Sequence, residues 1–348
     1  MADASETPDF LTIALAHKVV SRPDVDRCRR KLREEASADK PARKIEDVLV
    51  EEGILTREAV RAVYKARGRM SRDAKAVANR VGGYELLEKI GEGGLGAVYR
   101  ARHLSLGRIV ALKLLHKKWV EDEEFRRRFL VEARLMARLS HQNLLQVYDV
   151  GRHDDTLYYA MEFVDGETVD AFVEREGPLD PLRALEIVFQ MLRAIQYLNQ
   201  FQILHRDIKP GNIMLSKSGV VKLADFGFVK TNLDPLLSGT GEVLGTPDYI
   251  SPEAAEGATD LDFRSDVYSL GASFYHMLAG RPPFQGTASE LLDKHIAEAP
   301  PPLKTLRPEL SDHLLLVAEK MMARDRAARY AEASTLFEDL DLLRMEEL

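Results

Sequence analysis

The chain has 348 residues, 45% of them hydrophobic and 30% charged, enough for one large folded domain or two ordinary ones. Its net charge of −7 divides unevenly, about +4 over the first 83 residues and about −11 over the rest, which points to two separately folding parts. A single cysteine, Cys28, excludes an internal disulfide and a thiolate metal cluster, and the absence of a basic stripe interleaved with aromatics argues against a nucleic-acid partner.

In chain order, Met1–Glu6 lacks the basic start and apolar core of a signal peptide. No apolar run approaches the ~18 residues of a membrane span, so a cytoplasmic protein is expected. Residues 10–70 read as helices joined by short turns. Phe10–Val25 and Ile45–Val60 repeat at an offset of 35 residues. Each unit is a short apolar helix, a turn, and then Ser21 or Thr56 as a helix N-cap with an acid in the following turn. Two such pairs can bury their apolar faces as a small bundle. The expected boundaries are a helical module over 1–70 and a linker over 71–83, which ends in Gly82-Gly83.

From Tyr84 the pattern changes. Tyr84–Ile90, Ala97–Arg102 and Ile109–Leu115 are short β-branched and aromatic runs separated by glycine turns, and read as antiparallel strands. Phe125–Leu139 reads as a helix, and strands follow at Leu145–Val150 and Leu157–Val164. Beyond Pro178 helices dominate. Sheet first and helices second predicts an α+β fold in two lobes, 84–161 and 165–342.

Gly91-Glu92-Gly93-Gly94-Leu95-Gly96-Ala97-Val98 fits G-x-G-x-x-G-x-V. A dinucleotide-binding turn needs a helix directly after the glycines, whereas strands follow here. Glycines in a strand–turn–strand leave backbone N–H groups open to phosphate oxygens. Lys113 ends Val110-Ala-Leu-Lys inside an apolar strand and needs an anion. Phe125, Phe129, Glu132, Met136 and Leu139 share one helix face, and Glu132 is the only charge on it, so a Lys113–Glu132 ion pair is expected. His205-Arg206-Asp207-Ile208-Lys209-Pro210-Gly211-Asn212 sets polar groups between core sequences. There Asp207 is placed to accept a hydroxyl proton, Lys209 to neutralise a transferring phosphoryl, and Asn212 to give an oxygen to Mg²⁺. Asp225, in Asp225-Phe226-Gly227 after a strand at Val220–Ala224, adds a second hard oxygen ligand.

In this order the motifs resemble those of the bacterial eukaryotic-like serine/threonine protein kinases, over residues 84–342. The resemblance implies a bilobal kinase fold preceded by a small all-α domain, with ATP and Mg²⁺ as cofactors and proteins as substrates. It also implies a nucleotide site. Ile90 and the glycine loop cover the phosphates, Val98 and Ala111 form its ceiling, Met214 its floor, and the stretch Met161, Glu162, Val164 its hinge. Asp266 would brace the catalytic loop, and Arg329 would pair with Glu253. Lys209-Pro210 and Gly245-Thr246-Pro247 place the substrate on the serine/threonine side, since tyrosine kinases put a different sequence after the base. The alternative function is a pseudokinase scaffold, but Lys113, Asp207, Asn212 and Asp225 are all intact.

Arg206 stands before the catalytic Asp, next to a segment containing Thr231, Ser238, Thr240 and Thr246. The expected regulation is autophosphorylation at Thr240 first and Ser238 second, with the phosphate pairing with Arg206. The helical repeat resembles the N-terminal domains of type II secretion and pilus ATPases, some of which bind cyclic di-GMP. Glu46 departs from that family's pattern where a phosphate would approach, and Arg67 stands in place of its Gln at the end of the second helix. Protein docking or a homodimer through this module is therefore preferred.

Overall fold

The computed structural model describes residues 9–35, 44–66, 79–225 and 247–346. The chain separates into two compact units, 1–85 and 86–348.

In the first unit, α1 (Phe10–Ala16), α2 (Arg22–Glu35), α3 (Ile45–Glu51) and α4 (57–66) form two helical pairs. The caps fall where the sequence places them. Ser21 Oγ accepts from Asp24 N at 3.3 Å, and Thr56 Oγ1 accepts from Ala59 N at 3.1 Å. The repeat extends to the turns. Lys18 and Gly53, 35 residues apart, both take left-handed backbone with φ of 53° and 67°. Around them the same carbonyls are satisfied, Val19 N to Ala14 O and Ile54 N to Leu49 O, each at 2.9 Å. The core of this unit gathers Phe10, Ile13, Val25, Cys28, Val48, Leu49 and Val63. Burial pushes the Cys28 thiol up, so it is an apolar core residue rather than an activated nucleophile.

From residue 80 the chain forms an antiparallel sheet: β1 (Arg80–Val81), β2 (Tyr84–Gly93), β3 (Gly96–His103), β4 (Ile109–Leu115), β5 (Val147–His153) and β6 (Thr156–Glu162), in the order β1-β2-β3-β4-β6-β5. Short α5 (Lys117–Glu121) and α6 (Glu123–Met136) lie between β4 and β5, and Asp122 caps α6 through Phe125 N at 2.9 Å. Phe125, Phe129 and Met136 are buried, as their spacing requires. The register aligns Lys113 with Val98 on one side and Tyr159 on the other, and Ala111 with Met161.

The helical part follows. A small sheet, β7 (Gly166–Thr168), β8 (Ile213–Ser216) and β9 (Val221–Leu223), sits beside α7 (Val169–Glu176). Helix α8 (Pro181–Gln200), whose buried residues are all apolar, and α10 (Phe263–Ala279), which also buries Ser265, Asp266, Ser269, Ser273 and His276, form the centre of the core. Short α9 (Pro252–Ala255), α11 (Ala288–Ala297), α12 (Leu303–Leu306), α13 (Asp312–Met321) and α14 (Ala333–Glu346) complete it. The loop 205–212 therefore leaves from the end of α8 and enters β8, and Asp225 follows β9. Both polar segments are delivered to one place by core elements. Among the described residues no helix is long and apolar enough to cross a membrane.

Candidate active site

A cleft of ≈ 810 Å³ opens between the strands and the small sheet. Its lining includes every residue expected to touch nucleotide except Ala97, together with Asp207, Lys209, Asn212 and Asp225. Ala97 is not among the lining residues. Side chains alternate along a strand, and its neighbours Gly96 and Val98 line the cleft, so Ala97 turns to the other face of β3.

Of the loop glycines, Gly96 is sterically required. A Cβ there would lie 1.9 Å from Leu114 O, whereas Gly93 and Gly94 have open space. At the hinge, the Glu162 carboxylate is held by Lys222 Nζ at 2.9 Å.

Lys113 is buried and its Nζ donates to Asp225 Oδ2 at 2.9 Å. Tyr159 Oη donates to Asp225 Oδ1 at 3.0 Å. Burial pushes the Asp225 carboxyl up, but the Lys113 ammonium and then the Tyr159 hydroxyl outweigh it, and the group ends below the usual carboxylate range. The expected Lys113–Glu132 pair involves a side chain outside the described residues.

Asp207 is met by Lys209 Nζ at 3.1 Å and by Asn212 Nδ2, which donates to its Oδ2 and its main-chain oxygen, both at 2.8 Å. Asn212 also reaches Asp225 O at 3.5 Å. Arg206 and Asp225 have φ of 63° and 46°, a costly left-handed backbone that persists only where the surroundings impose it. For the catalytic loop the restraint is visible: Asp266 of α10 accepts from His205 N at 2.8 Å and Arg206 N at 3.0 Å. Burial raises the Asp266 carboxyl to about 6, against the pull of those two N–H groups. Below it Arg329 and Glu253 form a buried bidentate pair at 2.7 and 2.8 Å, and Arg329 also donates to three backbone carbonyls.

Tyr159 was not legible as a site residue, because a partner 66 positions away leaves no local signal. It ends a run of aromatic rings. Trp119 stacks on Phe125 at 4.8 Å, Phe125 on Phe129 at 6.4 Å, and Phe129 meets Tyr159 at 5.8 Å. Thr231, Ser238, Thr240 and Thr246 lie outside the described residues.

The sequence model of the family described as protein kinase domain matches residues 84–339. Serine/threonine-protein kinase PrkC of Bacillus subtilis is 37% identical over 266 residues, 76% of this chain and 41% of the relative. Serine/threonine-protein kinase PknB of Mycobacterium tuberculosis is 39% identical over 264 residues, 74% of this chain and 42% of the relative. The chain thus spans less than half the length of these curated relatives. The crystal structure of the Mycobacterium tuberculosis PknI kinase domain aligns with a TM-score of 0.62 at 30% identity, covering 77% of this chain and 98% of that one.

Proposed function

The chain belongs to the protein kinase domain family, and on that premise we propose that it is a serine/threonine kinase passing the γ-phosphoryl group of MgATP to protein hydroxyls. The observation that supports this most is the meeting of Lys113, Asp207, Asn212 and Asp225 in one cleft, with hydrogen bonds joining them in two linked pairs.

The donor set suits Mg²⁺. Asn212 uses Nδ2 on Asp207, which leaves Oδ1 as an acceptor, and Asp225 offers a carboxylate held ionised by Lys113. Two hard oxygens completed by phosphates and water are what this cation prefers, and when bound it would neutralise charge on the phosphates. Lys113 holds the triphosphate, Met161, Glu162 and Val164 hold the base, and Val98, Ala111 and Met214 exclude water from it. Asp207 orients the attacking hydroxyl and takes its proton, and Lys209 offsets charge on the moving phosphoryl. Catalysis is then mostly positioning and electrostatics.

Autophosphorylation at Thr240 and Ser238, with Arg206 as the phosphate's partner, belongs to the same proposal, as does the domain layout of 1–70, 71–83 and 84–342. For the helical module we propose protein docking or dimerisation, with the secretion-ATPase likeness and cyclic di-GMP binding as the alternative that titration of the full chain decides. The test of the main reading is incubation with MgATP and a generic basic protein. Phosphoserine and phosphothreonine are expected, absent with Asp207→Asn. ATP binding without any transfer would favour the pseudokinase instead.

A further inference from the structure

The turn that joins β4 to α5, together with α5 itself, is tied to the glycine loop by three hydrogen bonds. His116 N donates to Leu95 O at 3.0 Å, His116 Nε2 to Gly93 O at 3.2 Å, and Trp119 Nε1 to Gly94 O at 3.0 Å. A carbonyl can only accept, so His116 Nε2 carries the proton. Three consecutive loop carbonyls are thus each taken by a donor from within four residues of chain.

This matters because a peptide unit is planar and trans, so its N–H points opposite to its C=O. Fixing the carbonyls of Gly93 and Gly94 fixes the N–H directions of Gly94 and Leu95, and both of these residues line the cleft. Glycines here have open space and little backbone preference of their own, so the restraint has to come from outside the loop. Trp119 is itself held, stacked on Phe125 of the buried face of α6 with an interplanar angle of 27°. Neither His116 nor Trp119 lines the cleft.

We propose that Trp119, assisted by His116, is a positioning residue that aims the glycine-loop amides at the polyphosphate of the nucleotide. The proposal rests on the reading of the cleft as a nucleotide site, and it adds a residue that acts on phosphate and not on the base. Trp119→Phe retains an aromatic ring against Phe125 while removing the N–H donor, and the adenosine control reads any loss from the smaller ring.

The experiment compares equilibrium binding of ATP and of adenosine, with Mg²⁺ present, to the full wild-type chain and to Trp119→Phe. ATP affinity is expected to fall about three- to tenfold, the worth of one lost hydrogen bond, while adenosine affinity stays unchanged. A general loss of structure would weaken both ligands. Equal weakening of both, or of neither, overturns the proposal. Wild-type protein that binds neither ligand would instead overturn the nucleotide reading, and the proposal with it. Should the Phe variant not fold, wild-type emission serves, since Trp119 is the chain's only tryptophan. It should shift with ATP and not with adenosine, and an equal response to both overturns the assignment.

Discussion

The loop 205–212 hangs from the buried centre of the helical lobe, whereas the glycine loop, 91–96, is held by the turn after β4 and by α5. The first restraint is a fully buried carboxylate, Asp266, taking two main-chain N–H groups. The second is a set of neutral bonds from His116 and Trp119, both only half-buried. A buried charge with two dependants is costly to disturb, while each neutral bond contributes only about 0.5–1.5 kcal/mol. On the proposed reading, the proton acceptor is therefore the more firmly held group and the loop over the phosphates the more adjustable one. That division suits a site that must admit nucleotide yet hold a reacting hydroxyl to tight tolerance.

The largest expected effect comes from breaking the firmer restraint. Asp266→Leu orphans two buried N–H groups at about 1–3 kcal/mol each, so the unfolding free energy should drop by several kcal/mol and phosphoryl transfer with it. Denaturant unfolding with unchanged stability would refute the brace. On the glycine loop, Gly96→Ala forces a Cβ into Leu114 O and should part the β3–β4 hairpin there, at about 2 kcal/mol and with weaker ATP binding. Gly94→Ala, with open space around it, should stay within about 0.5 kcal/mol of wild type. Equal costs at the two positions, read by thermal unfolding, would erase the distinction between them.

Titration sharpens the contrast at a smaller scale. Asp266 has its folded pKa raised to about 6, so its contribution is present in acid and lost as pH rises through that value. His295 is the opposite case. Its Nδ1 accepts from Tyr268 Oη at 2.8 Å and its Nε2 donates to Asp248 O at 3.0 Å, and burial lowers it to about 4. Its contribution is present above the ordinary histidine value and lost as pH falls. Between pH ~6.5 and ~4.5 the two changes, each about 2 kcal/mol, nearly cancel. Asp266→Asn removes one side, so acidification over that window should cost the variant about 2 kcal/mol more than wild type in urea unfolding. Parallel pH dependence of variant and wild type would contradict the assignment.

Much of this was legible because the reactive residues stand out against their surroundings. Lys113 interrupts an apolar strand, 205–212 is a polar island between core segments, and the stripe Phe125, Phe129, Met136 announces the buried face of α6. The twin turns at Lys18 and Gly53 follow from the 35-residue repeat. What stayed hidden depends on distant pairing or on the backbone. Tyr159 and Asp225 meet only after the sheet folds. Hydrogen bonds from His116 and Trp119 to loop carbonyls leave no trace in residue types, since every residue has a carbonyl. Ala97 falls outside the lining for a simpler reason, in that a motif names consecutive residues while side chains on a strand alternate between its faces.

The most direct test of the central claim is a paired measurement on Asp207→Asn, with MgATP binding and phosphoryl transfer read from the same preparation. Removing a general base typically costs about 10²–10⁴ in rate, so transfer should fall by at least that range while ATP affinity stays near wild type. Full turnover in the variant would contradict the account.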